Sequence, residues 1–231
     1  MTLANFGTGR IPLPDERDSR FPVMAMVPRK DDRKKRTFRY WWANGHWGDQ
    51  GSTPHCVEYA WWHKIMDGPS TKRISGRENV PWKPKLLYCE AQKRDPWDGD
   101  CSRPLYNGTS VRAGAKALQD EGVINAYHWA WSPQEIFEAC MYVGPVVMGT
   151  LWTNDMFRPG SRGYITATGG GNYGHAWVLN GVNTTHKFIR GKNSWGQEWG
   201  RNGHFYMTFN EFYKLFDEYV EACVPSGVHV S

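Results

Sequence analysis

The sequence lacks the long apolar runs that a membrane protein needs. Its longest purely apolar stretches are a few residues, such as residues 145–148, so no segment is expected to cross a bilayer. The first residues, MTLANFG, contain neither the positive region nor the apolar region of a secretory signal. The sequence therefore predicts a chain without a membrane partner that is located in the cytoplasm or within a viral particle.

The sequence also lacks C-x-x-C pairs and zinc-ligand spacings, so neither a metal nor another cofactor is expected. The sequence has five cysteines: Cys56, Cys89, Cys101, Cys140 and Cys223. Because this number is odd, at least one thiol is left unpaired. Without an export signal the reduced form is the default expectation. Cys89 and Cys101 could form a bridge if the protein meets an oxidant.

Charge is unevenly distributed along the chain. Residues 1–40 hold ten Lys or Arg and five Asp or Glu, which accounts for the whole net charge of +5. The basic run at residues 29–36 contains no aromatic residue and is interrupted by two acids, which disfavours a nucleic-acid partner. Residues 1–39, which also contain several prolines, are predicted to be an extended, solvated basic arm that could contact an acidic partner.

Beyond the arm, helix signals precede strand signals. Helices are predicted from Cys56 to a stop at Gly68 and Pro69, after Thr109-Ser110, and after the Ser132-to-Glu135 capping box. Short apolar or alternating runs divided by glycines follow, and they predict strands near residues 146–152, 164–168, 175–182, 187–192, 204–209 and 219–224. This order predicts an α+β domain at residues 40–231, with a helical lobe at about 50–145 and a β lobe at about 146–224.

Three polar residues fit the requirements of a nucleophilic thiol. Cys56 is expected in the first turn of a helix, where the positive end of the helix dipole favours a thiolate. His175 is expected at the start of a strand, flanked by Gly174, and could take the thiol proton. Asn193 is expected at a strand end, where its side-chain oxygen could orient the imidazole.

The blocks around these residues resemble the papain-like cysteine peptidases. The similarity lies in residues 50–56 (QGSTPHC), 174–176 (GHA) and above all 192–205 (KNSWGQEWGRNGHF). The resemblance implies two lobes with a cleft between them and a peptide or protein as substrate. It makes Cys56 the nucleophile, His175 the general base and acid, and Asn193 the residue that orients the imidazole.

The same resemblance implies supporting roles and also has limits. Gln50 would donate to the oxyanion beside the Cys56 N–H, and Trp195 would shield the Asn193–His175 hydrogen bond. The paired glycines that bind substrate backbone in the family are not located, although residues 95–107 could hold their equivalent. Substrate-binding residues are therefore unassigned, and the 39 leading residues are too few for an inhibitory domain that plugs the cleft.

Three functions are compatible with these features. The first is a peptidase that cleaves peptide bonds through a thioester acyl-enzyme. The second is a structural or assembly-associated protein, such as a virion component, that keeps the papain-like fold and docks through the arm. The third is an amidase or isopeptidase that uses the same triad.

Overall fold

A computed structural model describes residues 6–41, 47–69 and 83–229, and these residues form an α+β fold. The α-helices are α1 (Cys56–Asp67), α2 (Pro84–Gln92), α3 (Val111–Asp120), α4 (Pro133–Tyr142) and α5 (Phe209–Lys214). The strands are β1 (Phe38–Tyr40), β2 (Ala126–Trp129), β3 (Val146–Trp152), β4 (Tyr173–Asn183), β5 (Phe188–Lys192), β6 (His204–Thr208) and β7 (Glu221–Ser226).

The helix starts follow the local sequence signals. The Ser110 hydroxyl accepts a hydrogen bond from the Ala113 N–H at the start of α3, and Ser132 accepts one from the Glu135 N–H at the start of α4. Pro133 occupies the first turn of α4, where its missing N–H costs nothing. At α1 the cap residue is His55, whose side chain makes no capping bond. The N-terminal end of α1, where Cys56 lies, therefore has no side-chain cap from His55.

The strands form one antiparallel sheet in the order β2-β7-β3-β4-β5-β6, and β1 pairs with the end of β4. The sheet packs between two cores. One core lies beneath α4 and α5 and includes Trp152, Trp177 and Phe205; the other lies between α1, α3 and the opposite face of the sheet. Cys56 and Ala176 both belong to the second core. Packing of α1 along β4 therefore brings the predicted nucleophile to the strand that carries His175.

Sequence reasoning missed several elements and misassigned one. Residues 164–168, predicted as a strand, make only an isolated bridge from Tyr164 to Tyr206, because glycine-rich turns surround them. The helices α2 and α5 and the strands β1 and β2 were not predicted. Because β1 comes from the leading segment and β2 lies between two helices, helices and strands are less segregated along the chain than expected.

Parts of the leading segment pack against the domain, whereas most of its side chains at residues 24–36 are exposed. It contains short 3₁₀ turns at Glu16–Arg20, Val23–Ala25 and Lys30–Asp32 before β1. Its residues Arg10, Asp18 and Val23 are buried, and the Asp18 carboxylate pairs with the Arg112 guanidinium of α3. Sequence patterns missed this packing because the buried residues are scattered and mostly charged. We call residues 6–13 the groove segment, because they lie in the groove that is described with the candidate active site.

Two of the cysteines are joined, contrary to the default expectation of reduced thiols. A disulfide links Cys89 of α2 to Cys101, with their Cα atoms 5.2 Å apart. That separation falls within the range that a disulfide can bridge without backbone movement. Cys56, Cys140 and Cys223 are free and buried.

A buried ion pair ties the end of α1 to the sheet. The Lys192 ammonium of β5 lies 2.7 Å from an Asp67 carboxylate oxygen, and both side chains are 1% exposed. The other Asp67 oxygen accepts a hydrogen bond of 2.9 Å from the Asn180 amide of β4. Asp67 therefore joins the helix that carries Cys56 to the strands that carry His175 and precede Asn193.

Asp67→Ala should lower the free energy of unfolding by about 3–5 kcal/mol, because it leaves the buried Lys192 charge without a counter-ion. Urea denaturation measures this loss. Lys93→Ala, which breaks an exposed pair with Glu90, should cost less than about 1 kcal/mol. Equal losses in the two variants would contradict the role given to the buried pair.

Candidate active site

Cys56 is the first residue of α1 and is completely buried. Burial is the largest cause that raises the pKa of its thiol to about 12, and the nearby Glu58 carboxyl contributes in the same direction. The backbone N–H groups of Ala176 and Val57 act in the opposite direction as hydrogen-bond donors to the sulfur. The thiol therefore lies beside the residue that follows His175, and in this conformation its neutral form is favoured.

His175 lies near the start of β4 and is held by Asn193. Its Nε2 is 2.9 Å from the Asn193 Oδ1, and that oxygen also accepts a hydrogen bond of 2.8 Å from the Ser194 N–H. Because a backbone N–H can only donate, the Asn193 atom facing it must be the oxygen. That oxygen requires a proton on His175 Nε2, which leaves Nδ1 with a free lone pair.

The free imidazole nitrogen is available for chemistry. Within the described part of the chain, His175 Nδ1 is buried and has no hydrogen-bond partner, and no hydrogen bond joins it to the Cys56 thiol. Burial lowers the pKa of His175 to about 4, whereas the Asn193 hydrogen bond raises it. The imidazole is therefore neutral near pH 7 and can accept a proton at Nδ1.

Aromatic rings enclose the imidazole. The Trp195 ring stacks on His175 with centroids 4.6 Å apart, and the Trp152 ring meets it edge-on at 4.8 Å. These rings lie beside the His175–Asn193 hydrogen bond and reduce its contact with water, which strengthens the bond. Trp195 was singled out from the sequence, whereas Trp152 was not, because it lies in an apolar strand without a recognisable motif.

Gln50 links the segment before Cys56 to the segment that carries Asn193. Its side chain donates a 2.7 Å hydrogen bond to the Thr53 carbonyl and accepts one from the Ser194 hydroxyl. Its backbone N–H also donates to the Ser194 carbonyl at 2.8 Å. One Nε2 hydrogen is thus used within the loop, and the second is available to a ligand.

Glu58 is a buried acid that sequence reasoning did not identify. It lies two residues after Cys56, is 0% exposed, and neither carboxyl oxygen has a hydrogen-bond partner among the described residues. Burial raises its pKa to about 8, so it is mainly neutral at pH 7. A glutamate in a predicted helix is normally solvent-exposed, so no local pattern marks Glu58 as a buried residue.

The groove segment lies over this site. The Gly7 N–H donates to the Gly51 carbonyl at 2.7 Å, and the Gly7 carbonyl accepts from the Trp195 indole at 3.0 Å. The Gly9 and Arg10 N–H groups both donate to the Gly174 carbonyl at 3.0 Å. The segment thus contacts the residues that flank both Cys56 and His175.

The other side of the groove is formed by Thr109. Its N–H donates to the Gly9 carbonyl at 2.9 Å, and its carbonyl accepts from the Ile11 N–H at 2.8 Å. The backbone that holds the groove segment is therefore at residues 108–109. These residues follow directly on the 95–107 loop, which the sequence analysis suggested as the equivalent of the family's paired glycines. A Cβ on Gly108 would fall 1.9 Å from the Gly9 carbonyl oxygen, so only glycine permits this approach.

Next to the site is an open cavity of about 740 Å³. Its apolar wall consists of Phe6, Phe157, Trp195 and Trp199, and Asp49, Arg158 and Glu198 add charged groups. Because Trp195 also packs on His175, this cavity opens directly beside the imidazole. It is large enough for one or two side chains of a bound peptide.

Within residues 6–41, 47–69 and 83–229, no group of three or more His, Cys, Asp or Glu could hold a metal ion. None of the helices formed by these residues is long and apolar enough to cross a membrane.

The family model described as papain family cysteine protease matches residues 69–221. The match includes His175, Asn193 and Trp195 and begins after Cys56. An uncharacterized peptidase C1-like protein, L477, from Acanthamoeba polyphaga mimivirus is 22% identical over 208 residues, which cover 70% of this chain and 63% of the relative. The chain therefore spans slightly less than two thirds of that relative's length.

Two solved structures have the same fold. Xylellain, a cysteine protease from Xylella fastidiosa, aligns with a TM-score of 0.67 at 18% identity over 98% of this chain and 97% of its own. The Carica candamarcensis cysteine protease CMS1MS2, solved in complex with E-64, aligns with a TM-score of 0.62 at 15% identity over 84% and 100%. These likenesses confirm the predicted papain-like α+β fold, and the match of the family model to more than half of the sequence means that the chain belongs to the papain family of cysteine proteases.

Proposed function

We propose that this chain hydrolyses peptide bonds with Cys56 as nucleophile, His175 as base and acid, Asn193 as the positioning residue and Gln50 as an oxyanion donor. The observation that carries the proposal is the Asn193–His175 hydrogen bond, which leaves Nδ1 free on a strand whose next residue contacts the Cys56 sulfur. Nucleophilic catalysis requires a base of this kind, an imidazole whose Nε2 is held by a hydrogen bond and whose Nδ1 can accept a proton.

The chemical steps follow from these positions. His175 Nδ1 takes the thiol proton, and the thiolate attacks the substrate carbonyl carbon. The Cys56 N–H and the second Nε2 hydrogen of Gln50 stabilise the oxyanion. The imidazolium then gives its proton to the leaving nitrogen, the C–N bond breaks and a thioester remains. Water, deprotonated by His175, attacks the thioester and releases the acid and the Cys56 thiol.

The competing roles receive less support from the structure. An assembly role would use the basic run, in which Arg33 already pairs with Glu138 and Arg36 donates to the Met141 carbonyl, while Lys30, Lys34 and Lys35 are exposed. The acidic partner, the cytoplasmic location and the domain boundary at residue 39 stay predictions. An amidase or isopeptidase would use the same residues and differs only in the amide that it accepts.

Cys56→Ala and His175→Ala should abolish hydrolysis of an unfolded protein substrate, because each removes a group that bonds to or exchanges a proton with the reacting atoms. Asn193→Ala and Gln50→Ala should each reduce kcat/KM by about 100-fold, because orientation and one oxyanion donor are partial contributions. The assay is run with the Arg10→Ala substitution throughout, which loosens the groove segment over Cys56.

Matched controls are Cys140→Ala, another buried free cysteine, and His186→Ala, an exposed histidine. Both should retain full activity. In the same background, E-64 should modify Cys56 and no other residue when the product is mapped by mass spectrometry. Hydrolysis that survives Cys56→Ala would refute the assignment of the nucleophile.

The unsubstituted protein should react slowly with iodoacetamide at Cys56, because burial raises the thiol pKa from 9.0 to about 12. Below its pKa the thiolate fraction rises about tenfold per pH unit, so the rate should keep rising with pH without levelling off below pH 10. At pH 7.5 the folded protein should react about 100-fold or more slowly than the urea-unfolded chain. Equal rates in folded and unfolded protein would mean that the groove segment does not cover the thiol.

A further inference from the structure

One face of the sheet carries a row of side chains across β1, β4, β5 and β6. The register pairs Tyr40 with Gly181 of β4, and the same glycine with Arg190 of β5. Arg190 in turn pairs with Tyr206 of β6. Directly paired residues share a face of the sheet, so Tyr40, Arg190 and Tyr206 lie in one row. The alternate residues of these strands point into the core beneath α4 and α5: Val182, Ile189 and Met207.

Aromatic rings make this face continuous. We call the following five residues the aromatic platform: Phe38, Tyr40, Tyr164, Phe188 and Tyr206. The centroids of neighbouring rings are 5.5–6.5 Å apart. Phe38 and Tyr164 are 58% and 38% exposed, and the other three are partly buried. Contiguous exposed rings of this kind mark a binding surface.

The middle of the platform holds a fixed guanidinium. The Arg190 guanidinium carbon lies 4.9 Å from the centroid of the Tyr40 ring. Its Nε donates to the Asn180 Oδ1 at 3.0 Å and its Nη2 to the Trp41 carbonyl at 2.9 Å, whereas its Nη1 makes no hydrogen bond within the described part of the chain. A Cβ on Gly181 would fall 2.4 Å from the Tyr40 Cδ1, so the ring lies directly over β4.

Basic side chains lie on both sides of the platform. A hollow of about 310 Å³ is lined by four platform residues together with Arg190 and Arg201. A second hollow, of about 510 Å³, is lined by residues 35–40, three of which are basic. Tyr40 lines both hollows, and no Asp or Glu is among the described residues that line either one. The charge and the rings together suit a polyanion that has flat groups.

Single-stranded nucleic acid has both features. Its unpaired bases stack on aromatic rings, and its phosphates pair with guanidinium and ammonium groups. A sulfated glycan has the charge without the flat groups, and the bases of a duplex are already paired and stacked. The basic run at residues 29–36 disfavours this partner when it is considered alone, because it contains no aromatic residue. The fold supplies the missing rings from other parts of the chain.

We propose that the aromatic platform binds single-stranded nucleic acid, with bases stacked on its rings and phosphates paired with basic groups such as Lys35 and Arg201. The proposal invokes no contact to a base edge or a ribose 2′-hydroxyl, so binding should depend on neither sequence nor sugar. Four strands at a spacing of about 4.8 Å span roughly 14 Å, which is room for about two or three bases.

This binding function is separate from the proposed hydrolysis. Gly181, beneath the platform, lies six residues along β4 from His175, which corresponds to roughly 20 Å of extended strand. A bound strand therefore leaves the candidate active site open. The tests below use the Cys56→Ala protein and measure binding alone, so they can fail or succeed whether or not the chain is a peptidase.

The first test measures the anisotropy of a fluorescein-labelled oligo(dT) of about twelve nucleotides. It should bind at low salt, and its affinity should fall linearly with salt concentration on logarithmic scales. A duplex of the same length and a heparin fragment of similar charge should each bind at least about tenfold more weakly, because neither offers unpaired bases. No binding of the oligo(dT), or equal binding of the duplex or the heparin fragment, would overturn the proposal.

The second test removes single rings. Phe38→Ala and Tyr164→Ala should each weaken binding about fivefold or more, whereas Tyr164→Phe keeps the ring and should change it less than about twofold. Trp131→Ala is the matched control, because this ring is 48% exposed and follows β2 at the opposite edge of the sheet. It should leave the affinity unchanged. Platform variants that bind as well as the Trp131 variant would refute stacking on the platform.

The third test removes single charges. Lys35→Gln and Arg201→Gln should each lower the steepness of the salt dependence by about 0.7, the value for one phosphate contact of a single strand. Arg103→Gln, which removes an exposed arginine in the 95–107 loop, should leave it unchanged. The same steepness in all three variants would contradict the phosphate contacts.

The fourth test maps the bound strand directly. An oligo(dT) that carries 5-iodouracil is crosslinked to the protein by ultraviolet light, and the modified residues are identified by mass spectrometry. Crosslinks are expected at the exposed platform rings, Phe38 and Tyr164. Crosslinks confined to other parts of the chain, such as Trp131, would overturn the proposal even if the oligonucleotide binds.

Discussion

The packing of α1 along β4 is the constraint on which the site depends. It brings the N-terminal end of a helix, with Cys56 as its first residue, against a strand in which His175 precedes Ala176. The apolar core between them holds the two elements together, and the Asp67 carboxylate fixes the far end of the helix to β4 and β5. A helix and a strand, and not loops, therefore fix the positions of Cys56 and His175.

Burial shifts the pKa values of Cys56 and His175 in opposite directions. With the groove segment in place, Cys56 and His175 are removed from water, and this desolvation raises the pKa of the thiol and lowers the pKa of the imidazole. Both shifts favour the neutral pair. In our account, displacement of residues 7–11 admits water and substrate together, so thiolate formation and peptide binding are coupled through one movement.

The predictions from the sequence agree best with the structure where a local sequence pattern marks an element boundary or a reactive residue. The boundaries of α1, α3, α4 and β3 agree with the predicted ones to within about two residues because caps, prolines and glycines mark them. Cys56, His175, Asn193 and Gln50 could be named because their neighbouring residues form recognisable blocks. The structure brings the four into one region, whereas their roles remain those of the proposal.

The remaining features depend on long-range contacts without a local signal. Arg10 looks like one of ten basic residues in a charged leader, and only its partner Glu221, more than two hundred residues away, makes it a buried group. Thr109 contributes backbone atoms, which any residue type has. Glu58 is buried although glutamates are usually exposed, and no local sequence signal marks the Cys89–Cys101 disulfide.

The most direct test of the account is a crystal structure of the protein with a peptide aldehyde inhibitor. We expect a covalent bond between the Cys56 sulfur and the aldehyde carbon, with residues 7–11 displaced from Thr109 and Gly174. An inhibitor bound elsewhere, with Arg10 still on Glu221 and Cys56 unmodified, would contradict the account.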